Sequence, residues 1–147
     1  MTNPQLGFEE LAAAQAQPHI PLNAALRITT AALAGEKVVN FTGDADHVLL
    51  ATPTASGGVS PNDEWPYRVI RMTDTGALLT AARSVIYPDV DTLYGGPSRL
   101  DFFFRNETAH PLTIKRSGQT GVLVQPGAEA YVRHNGTDIV AIVNPLP

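Results

Sequence analysis

The 147-residue sequence predicts a mainly β protein, an antiparallel β-sandwich or barrel-like module with short N-terminal α-helices. Two observations support this fold class. After residue 35 the chain consists of short runs rich in β-branched and aromatic residues, and glycine or proline separates many of them. Before residue 35 the composition is alanine-rich and favours helices. We therefore expect a helical anchoring or assembly segment at residues 1–35 and an antiparallel β domain at residues 36–147.

Two short helices are expected in the first segment. Residues 8–17, FEELAAAQAQ, combine good helix formers with two glutamates in the first turn, and Pro18 closes the run. Residues 23–35, NAALRITTAALAG, begin at Asn23, which can cap a helix, and end at Gly35, which can adopt a left-handed conformation. Neither helix has an apolar stripe broad enough for stability alone, so each is expected to dock on the β domain or on another subunit.

Consecutive antiparallel hairpins are expected in the β domain. In LDFFFRN, residues 100–106, alternation places Phe102 and Phe104 on one face and Phe103 on the other. Phe103 interrupts an otherwise polar face, so we expect it to mark a second buried surface such as a subunit contact. Tight turns are predicted where residues tolerate positive φ or preset φ, at Ser117-Gly118, Gln125-Pro126-Gly127 and Asn135-Gly136.

Composition and charge restrict the classes of function. The net charge is −4 and the 10 basic residues are spread thinly, so no basic stripe is available and nucleic-acid binding is not expected. The chain has no cysteine, which excludes disulfides and thiolate chemistry within it. No apolar run is long enough to span a bilayer, and the N-terminus lacks the pattern of a secretory signal. We expect a soluble protein made in the cytoplasm, without membrane insertion.

Few residues suggest catalysis or metal binding. Residues 43–47, GDADH, could ligate a cation, but they lack the acidic spacing of a calcium loop, and a solvated turn is the better interpretation. The four histidines stand apart in sequence, without a partner at zinc-site spacing. Asp89 and Asp91 are a carboxylate pair that a polysaccharide-degrading enzyme could use. We predict no catalytic, cofactor-binding or metal-binding residue and expect that the protein is not an enzyme.

A glycan- or receptor-binding module is the alternative function. The loop of residues 53–68 carries Trp65 and Tyr67, and aromatic rings in a binding site stack on sugars. Aromatic residues of a β protein also occupy cores and interfaces, so the sequence leaves both interpretations of these rings open.

Two stretches resemble virion proteins of tailed phages and gene transfer agents. Residues 14–35 are similar to the opening of a domain of unknown function in tail-fibre, spike and head-fibre proteins, with its Ala-Gln, His and Asn-x-Ala-Leu-Arg run. Residues 69–90 and 102–142 resemble a recurrent phage β module that carries TGALLTAAR, RNETAHPLTIK, GVLVQPG and NGTDIV in that order. Together the stretches cover well over half of the chain.

The resemblance implies a spike, fibre or adaptor subunit attached to the capsid or tail of a phage or phage-like particle. Such a subunit is made in the bacterial cytoplasm, resides in the virion and binds other virion proteins, and a host surface glycan is a further expected partner. Phage appendages place several copies around an axis, so we expect a homo-oligomer, first a trimer and otherwise a pentamer or hexamer. The residues expected at subunit contacts are Phe8, Leu11, Leu22, Leu26 and Phe103.

Overall fold

The computed structural model describes residues 35–55, 58–94 and 100–142, together with isolated positions at 2–3, 8–9, 29–30 and 33. The described chain is mainly β, and most of its strands belong to two mixed sheets. In spatial order the first sheet contains β11 (Ile139–Ala141), β10 (Glu129–His134), β7 (Asp101–Asn106), β5 (Val69–Thr73) and β3 (Glu36–Asn40). The second sheet contains β4 (His47–Val48), β6 (Arg83–Tyr87), β8 (Leu112–Arg116) and β9 (Val122–Val124).

Two small elements complete the described chain. Strands β1 (Thr2–Asn3) and β2 (Phe8–Glu9) pair with each other in antiparallel orientation. Helix α1 (Val90–Leu93) follows β6. None of the helices in the part of the chain that the structure describes has the length and apolarity needed to cross a membrane.

From β3 to β8 the chain alternates between the two sheets. Each return places the next strand parallel to the preceding strand of the same sheet, so β3, β5 and β7 are parallel neighbours, and so are β4, β6 and β8. Parallel neighbours cannot be joined by a tight turn, and the crossing through the other sheet supplies the connection. The predicted run of consecutive antiparallel hairpins is therefore wrong for this part of the chain.

Antiparallel hairpins do occur after β8. Strands β8 and β9 are joined through Ser117-Gly118, and β10 and β11 through Asn135-Gly136, as predicted. The φ angles of the two glycines are +74° and +102°, values that favour glycine because a Cβ atom is strained there. The turn at Gln125-Pro126-Gly127 also forms, with Ala128 N–H donating to the Gln125 carbonyl at 3.0 Å. It connects β9 to β10, which lie in different sheets, so it does not make a hairpin.

Side chains from both sheets form one hydrophobic core. Phe102 and Phe104 are fully buried and Phe103 lies on the opposite face of β7, as the alternation predicted. The ring of Tyr87 in the second sheet stacks on Phe102 of the first, with centroids 5.4 Å apart. Each buried phenylalanine stabilises the fold by about 2 kcal/mol. The two sheets therefore pack on each other through this core, and neither closes into a barrel within the described residues.

The predicted N-terminal helices lie mostly outside the described residues. The first was expected to begin at Phe8, but Phe8–Glu9 is strand β2, whose backbone groups bond to β1 instead of to a helical turn. In the second, Thr29, Thr30 and Leu33 are helical. The expected composition boundary at Gly35 coincides with the residue before β3.

Candidate interaction surface

The outer face of the first sheet carries a row of apolar side chains centred on Phe103. Cross-strand pairing places Phe103 between Val69 of β5 and Tyr131 of β10. The Phe103 and Tyr131 rings stack, with centroids 4.7 Å apart and planes inclined by 18°. All three side chains are half-buried, so each keeps part of its surface open. We call Val69, Phe103 and Tyr131 the aromatic row.

Arg68 covers both rings of the aromatic row. Its guanidinium carbon lies 5.1 Å from the Phe103 ring centroid and 5.2 Å from that of Tyr131. The guanidinium donates to the Asp101 carbonyl oxygen at 3.3 Å, and the Tyr131 hydroxyl donates to the Asp101 carboxylate at 3.3 Å. A cation over an aromatic face at an exposed site stabilises by about 0.5–1 kcal/mol. Arg68 and Asp101 thus hold the two rings in a defined position.

A row of charged side chains lies beside the aromatic row. Arg71 of β5 donates to Glu36 at 2.8 Å and to both carboxylate oxygens of Glu107, at 3.1 and 2.8 Å. Arg105, the cross-strand neighbour of Arg71, also pairs with Glu107 at 3.0 Å. The hydrogen bond from Arg71 holds the pKa of Glu107 below its usual value. These charges pair within the chain, next to an apolar patch.

The two rows together suit contact with another protein. Aromatic residues and arginine are enriched at the centres of protein interfaces, and polar groups form their rims. Sequence analysis predicted the outward orientation of Phe103 but missed Arg68 and Tyr131. The alternation of residues 129–134, EAYVRH, was the signal that could have placed Tyr131 on the outer face. The subunit contact expected at Phe103 stays a prediction.

The loop that carries Trp65 is held from inside the protein. Trp65 is 1% exposed, so its ring faces the core and does not offer a stacking platform to a sugar. Its indole N–H donates to the Tyr94 hydroxyl at 3.3 Å, and that hydroxyl donates to buried Asp63 at 2.5 Å. Burial, followed by this hydrogen bond to Asp63, raises the pKa of Tyr94 to about 12. The structure thus favours the core interpretation of Trp65 over the glycan-contact interpretation.

The Asp63 carboxylate holds the Trp65 loop through several hydrogen bonds, and Tyr67 lies near the end of this loop. The Asp63 carboxylate also accepts hydrogen bonds from the backbone N–H groups of Thr52 (2.8 Å) and Ser60 (2.9 Å). Because one donor directly precedes the loop and the other lies within it, the carboxylate ties the loop into one conformation. Tyr67 is half-buried, and the Lys37 ammonium lies 5.7 Å from its ring centroid. One face of this ring therefore already has a cation as its neighbour.

The GDADH segment, interpreted from the sequence as a solvated turn, lies before β4 and bonds to β6 through its carboxylates. Asp44 accepts two hydrogen bonds from the Arg83 guanidinium, at 2.9 and 2.6 Å, and Asp46 accepts one from a backbone N–H of β6 at 2.8 Å. His47 donates from Nε2 to Glu64 at 3.0 Å. Each carboxylate thus has a protein donor. Across the described ranges no three histidine or acidic side chains are grouped as a metal site requires.

Asp89 and Asp91 lie at the start of α1. Asp89 pairs with Arg116 at 3.1 Å, and its carboxylate accepts a hydrogen bond from the Thr92 hydroxyl at 2.8 Å. That hydrogen bond from Thr92 holds the pKa of Asp89 below its usual value. A glycosidase acid needs a raised pKa, so the environment of Asp89 fits a helix start better than a general acid.

A buried polar cluster at one end of the core was missed by sequence reasoning. His134 ends β10 and is 0% exposed, and its ring stacks on Tyr87 with centroids 5.6 Å apart. Arg116 of β8 donates to His134 Nε2 at 2.5 Å, so this nitrogen acts as an acceptor. The Tyr87 hydroxyl is buried without a hydrogen-bond partner among the described residues, and burial raises its pKa. The cluster links β6, β8 and β10, and no sequence motif predicts it.

The other expected contact residues belong to the N-terminal segment. Phe8 lies in β2, and Leu11, Leu22 and Leu26 fall outside the described residues. Their predicted role at a subunit contact therefore stays a prediction.

Comparison with known proteins returns no relative: no family model matches the chain, and neither does any curated protein or solved structure.

Proposed function

We propose that the chain is a structural subunit of a phage or phage-like particle, a spike, fibre or adaptor component that assembles with copies of itself. The observation that carries the proposal is the aromatic row, which presents Phe103 and Tyr131 on the outer face of a sheet whose inner face is already packed. The resemblance of residues 14–35, 69–90 and 102–142 to virion proteins supports the particle as the setting.

The aromatic row suits contact with a second copy of the chain. Aromatic side chains contribute large apolar areas to an interface, and a pair of such rings is stabilised by about 0.5–1.5 kcal/mol beyond area burial. Arg68 holds Phe103 and Tyr131 in place before any partner arrives, so little side-chain entropy is lost on contact. The neighbouring ion pairs of Arg71 and Arg105 with Glu107 provide a polar rim.

Rigidity is the second property that the proposal requires. The loops of the described chain are tied by side chains with several backbone donors, as Asp63 shows in the Trp65 loop. Asp138 has the same function at the other end, where it accepts from the backbone N–H groups of Arg116 (3.1 Å) and Gly121 (2.7 Å). A subunit of a mechanical appendage benefits from such loops because they transmit force without rearranging.

The test of self-assembly is the mass of the purified full chain by light scattering behind a sizing column. We expect a discrete oligomer that Phe103→Asp dissociates, because the substitution places charge in the centre of the aromatic row. The folded body should survive, since Arg68 lies 5.1 Å from the Phe103 ring and can pair with the new carboxylate. Leu123→Asp is the matched control: Leu123 is 57% exposed on β9 of the second sheet, and the control should keep the mass of the native oligomer. An unchanged mass for Phe103→Asp contradicts the interface.

Whether the protein belongs to a particle is tested separately from its self-assembly. Particles purified from the organism that encodes the chain should contain the protein in a fixed ratio to the major capsid protein by quantitative mass spectrometry. Its absence from purified particles contradicts the virion role, whatever its oligomeric state in solution.

A further inference from the structure

Strand β3 forms one edge of the first sheet, and no described strand lies on its outer side. Phe41 N–H donates to the Thr73 carbonyl, and Val69 N–H donates to the Gly35 carbonyl, at the two ends of the β3–β5 ladder. In a parallel ladder every second residue of a strand bonds to a given neighbour. Lys37 and Val39 therefore face β5, and three residues of β3 direct their N–H and C=O groups outward: Glu36, Val38 and Asn40.

Two of the usual protections against edge pairing are missing from β3. Edge strands are commonly protected by proline, a bulge or charged side chains, and β3, EKVVN, has no proline and pairs with β5 residue by residue, without a bulge. The Lys37 ammonium lies over the Tyr67 ring, and Glu36 is paired with Arg71 at 2.8 Å, so both charges of the strand already have partners. Val38, at the centre of the strand, is 50% exposed. Within the described ranges these outward backbone groups have no partner strand, so another strand can pair with them.

We propose that two copies of the chain pair through β3 in antiparallel orientation, centred on Val38, and so join their first sheets into one. This register aligns the outward-facing residues of both strands and allows up to about six backbone hydrogen bonds between the copies. It places Val38 opposite Val38 of the partner subunit and Glu36 opposite Asn40 of the partner subunit. No like charges face each other, so the edge is self-complementary.

A second β3 is a better partner than the other edges of the molecule. Edge strand β4 has two residues, and edge strands β9 and β11 have three each, whereas β3 has five, so two β3 strands form the longest ladder. A symmetric contact of this kind is twofold, the commonest arrangement among homo-oligomers, so it implies an even number of copies, such as the hexamer, and not the isolated trimer. The inference deepens the proposed self-assembly and rests on it, but it uses the sheet edge, whereas the proposed function uses the aromatic row.

The first test substitutes the central residue of the edge. Val38→Pro removes an outward N–H for which no described residue is the acceptor, a position where edge strands tolerate proline. We expect the mass of the native assembly to halve, with an unchanged circular dichroism spectrum. Val48→Pro is the matched control, because Val48 is 61% exposed on the edge strand β4 and its N–H also faces away from its sheet. Equal masses for Val38→Pro and the native protein overturn the pairing, and so does a native protein that is monomeric at every concentration.

The second test examines the register with a variant that keeps the fold. The Asn40 side-chain oxygen accepts from Thr75 N–H at 2.9 Å, and Asn40→Asp retains this acceptor. In the proposed register the new carboxylate faces Glu36 of the partner subunit twice per dimer. The dissociation constant should rise about tenfold at low salt, and 1 M salt should remove most of the difference because the Debye length is then about 3 Å. An unchanged constant shows that the partner is not a second β3 and overturns the proposal.

The two interfaces are distinguished by their variants. If Phe103→Asp dissociates the assembly while Val38→Pro does not, the edge pairing is wrong and the proposed function keeps its interface. If Val38→Pro halves the mass while Phe103→Asp leaves it unchanged, the edge pairing is supported and the aromatic row is not the contact.

Discussion

Replacing Asn106 with aspartate, a change of one side-chain group, should destabilise the protein strongly. Asn106 is 0% exposed, and its amide nitrogen donates to the carbonyl oxygens of His110 (2.8 Å) and Val124 (2.9 Å). Its oxygen accepts from the backbone N–H and the hydroxyl of Thr108, at 2.9 and 2.8 Å. Aspartate keeps the acceptor but replaces the donor with an oxygen that faces two carbonyl oxygens.

The expected cost follows from the carbonyl groups of His110 and Val124, which lose the amide donor. A buried polar group left without its partner costs about 1–3 kcal/mol. The Thr108 hydroxyl can still donate to the His110 carbonyl at 2.9 Å, so we count one such loss, about 2 kcal/mol. A buried, uncompensated negative charge adds to this cost. Because a domain has a total free energy of unfolding of only about 5–15 kcal/mol, a loss of this size is a large share of the stability.

The assay is urea-induced unfolding at pH 7, followed by the fluorescence of Trp65, which is the single tryptophan and is buried. Asn135→Asp is the matched control. Asn135 is exposed, and its side-chain oxygen accepts from the backbone N–H groups of Thr137 (2.9 Å) and Asp138 (3.0 Å), a role that aspartate retains. The control should change stability by less than about 0.5 kcal/mol. A loss below about 1 kcal/mol for Asn106→Asp would refute the donor role assigned to its amide.

Gly121→Ala should cost about 3 kcal/mol or more, because φ is +68° and an added Cβ would lie 2.3 Å from a backbone oxygen of β8. Gly118→Ala, at a φ of +74° with nothing within 4 Å, should cost about 1 kcal/mol, and equal costs in urea unfolding would contradict the steric argument. Acid should also destabilise the protein, since hydrogen bonds from Thr80 and then Arg83 lower the pKa of Asp44 to about 2. This folded-state pKa lies below the unfolded value of about 3.9, so the Asp44 contribution is present above about pH 4 and is lost as the pH falls towards 2. Asp44→Asn should flatten the stability profile in that window, and an unchanged slope would count against this assignment.

The alternation of β7 and the turn glycines could be predicted because both depend on neighbouring residues alone. Side chains of a strand point to opposite faces whatever the strand pairs with, so Phe102 and Phe104 were correctly placed on one face, which proves to be the buried one. Gly118 and Gly136 were assigned to turns because few other residues tolerate positive φ. The outward orientation of Phe103 followed from the same rule.

Strand partners could not be predicted, because they depend on residues far apart in sequence. Glu36 pairs with Val69, and Val69 pairs with Phe103, and no local pattern distinguishes this parallel ladder from a set of hairpins. Whether Trp65 is buried or exposed could not be predicted either, since an aromatic residue in a polar loop fits a binding surface as well as a core. Its burial depends on Tyr94, which is distant in the chain.

The sequence by itself therefore determined the mainly β character, the faces of β7 and the positions of the turns, because these are properties of a strand or turn and its immediate neighbours. Only the tertiary structure decided that the chain crosses repeatedly between two sheets and that Arg68 and Tyr131 join Phe103 on an outer face. It also decided that β3 is the last strand at one edge of the first described sheet. These features arise where distant segments meet, and the free energy that selects them comes from packing and backbone pairing across the whole domain.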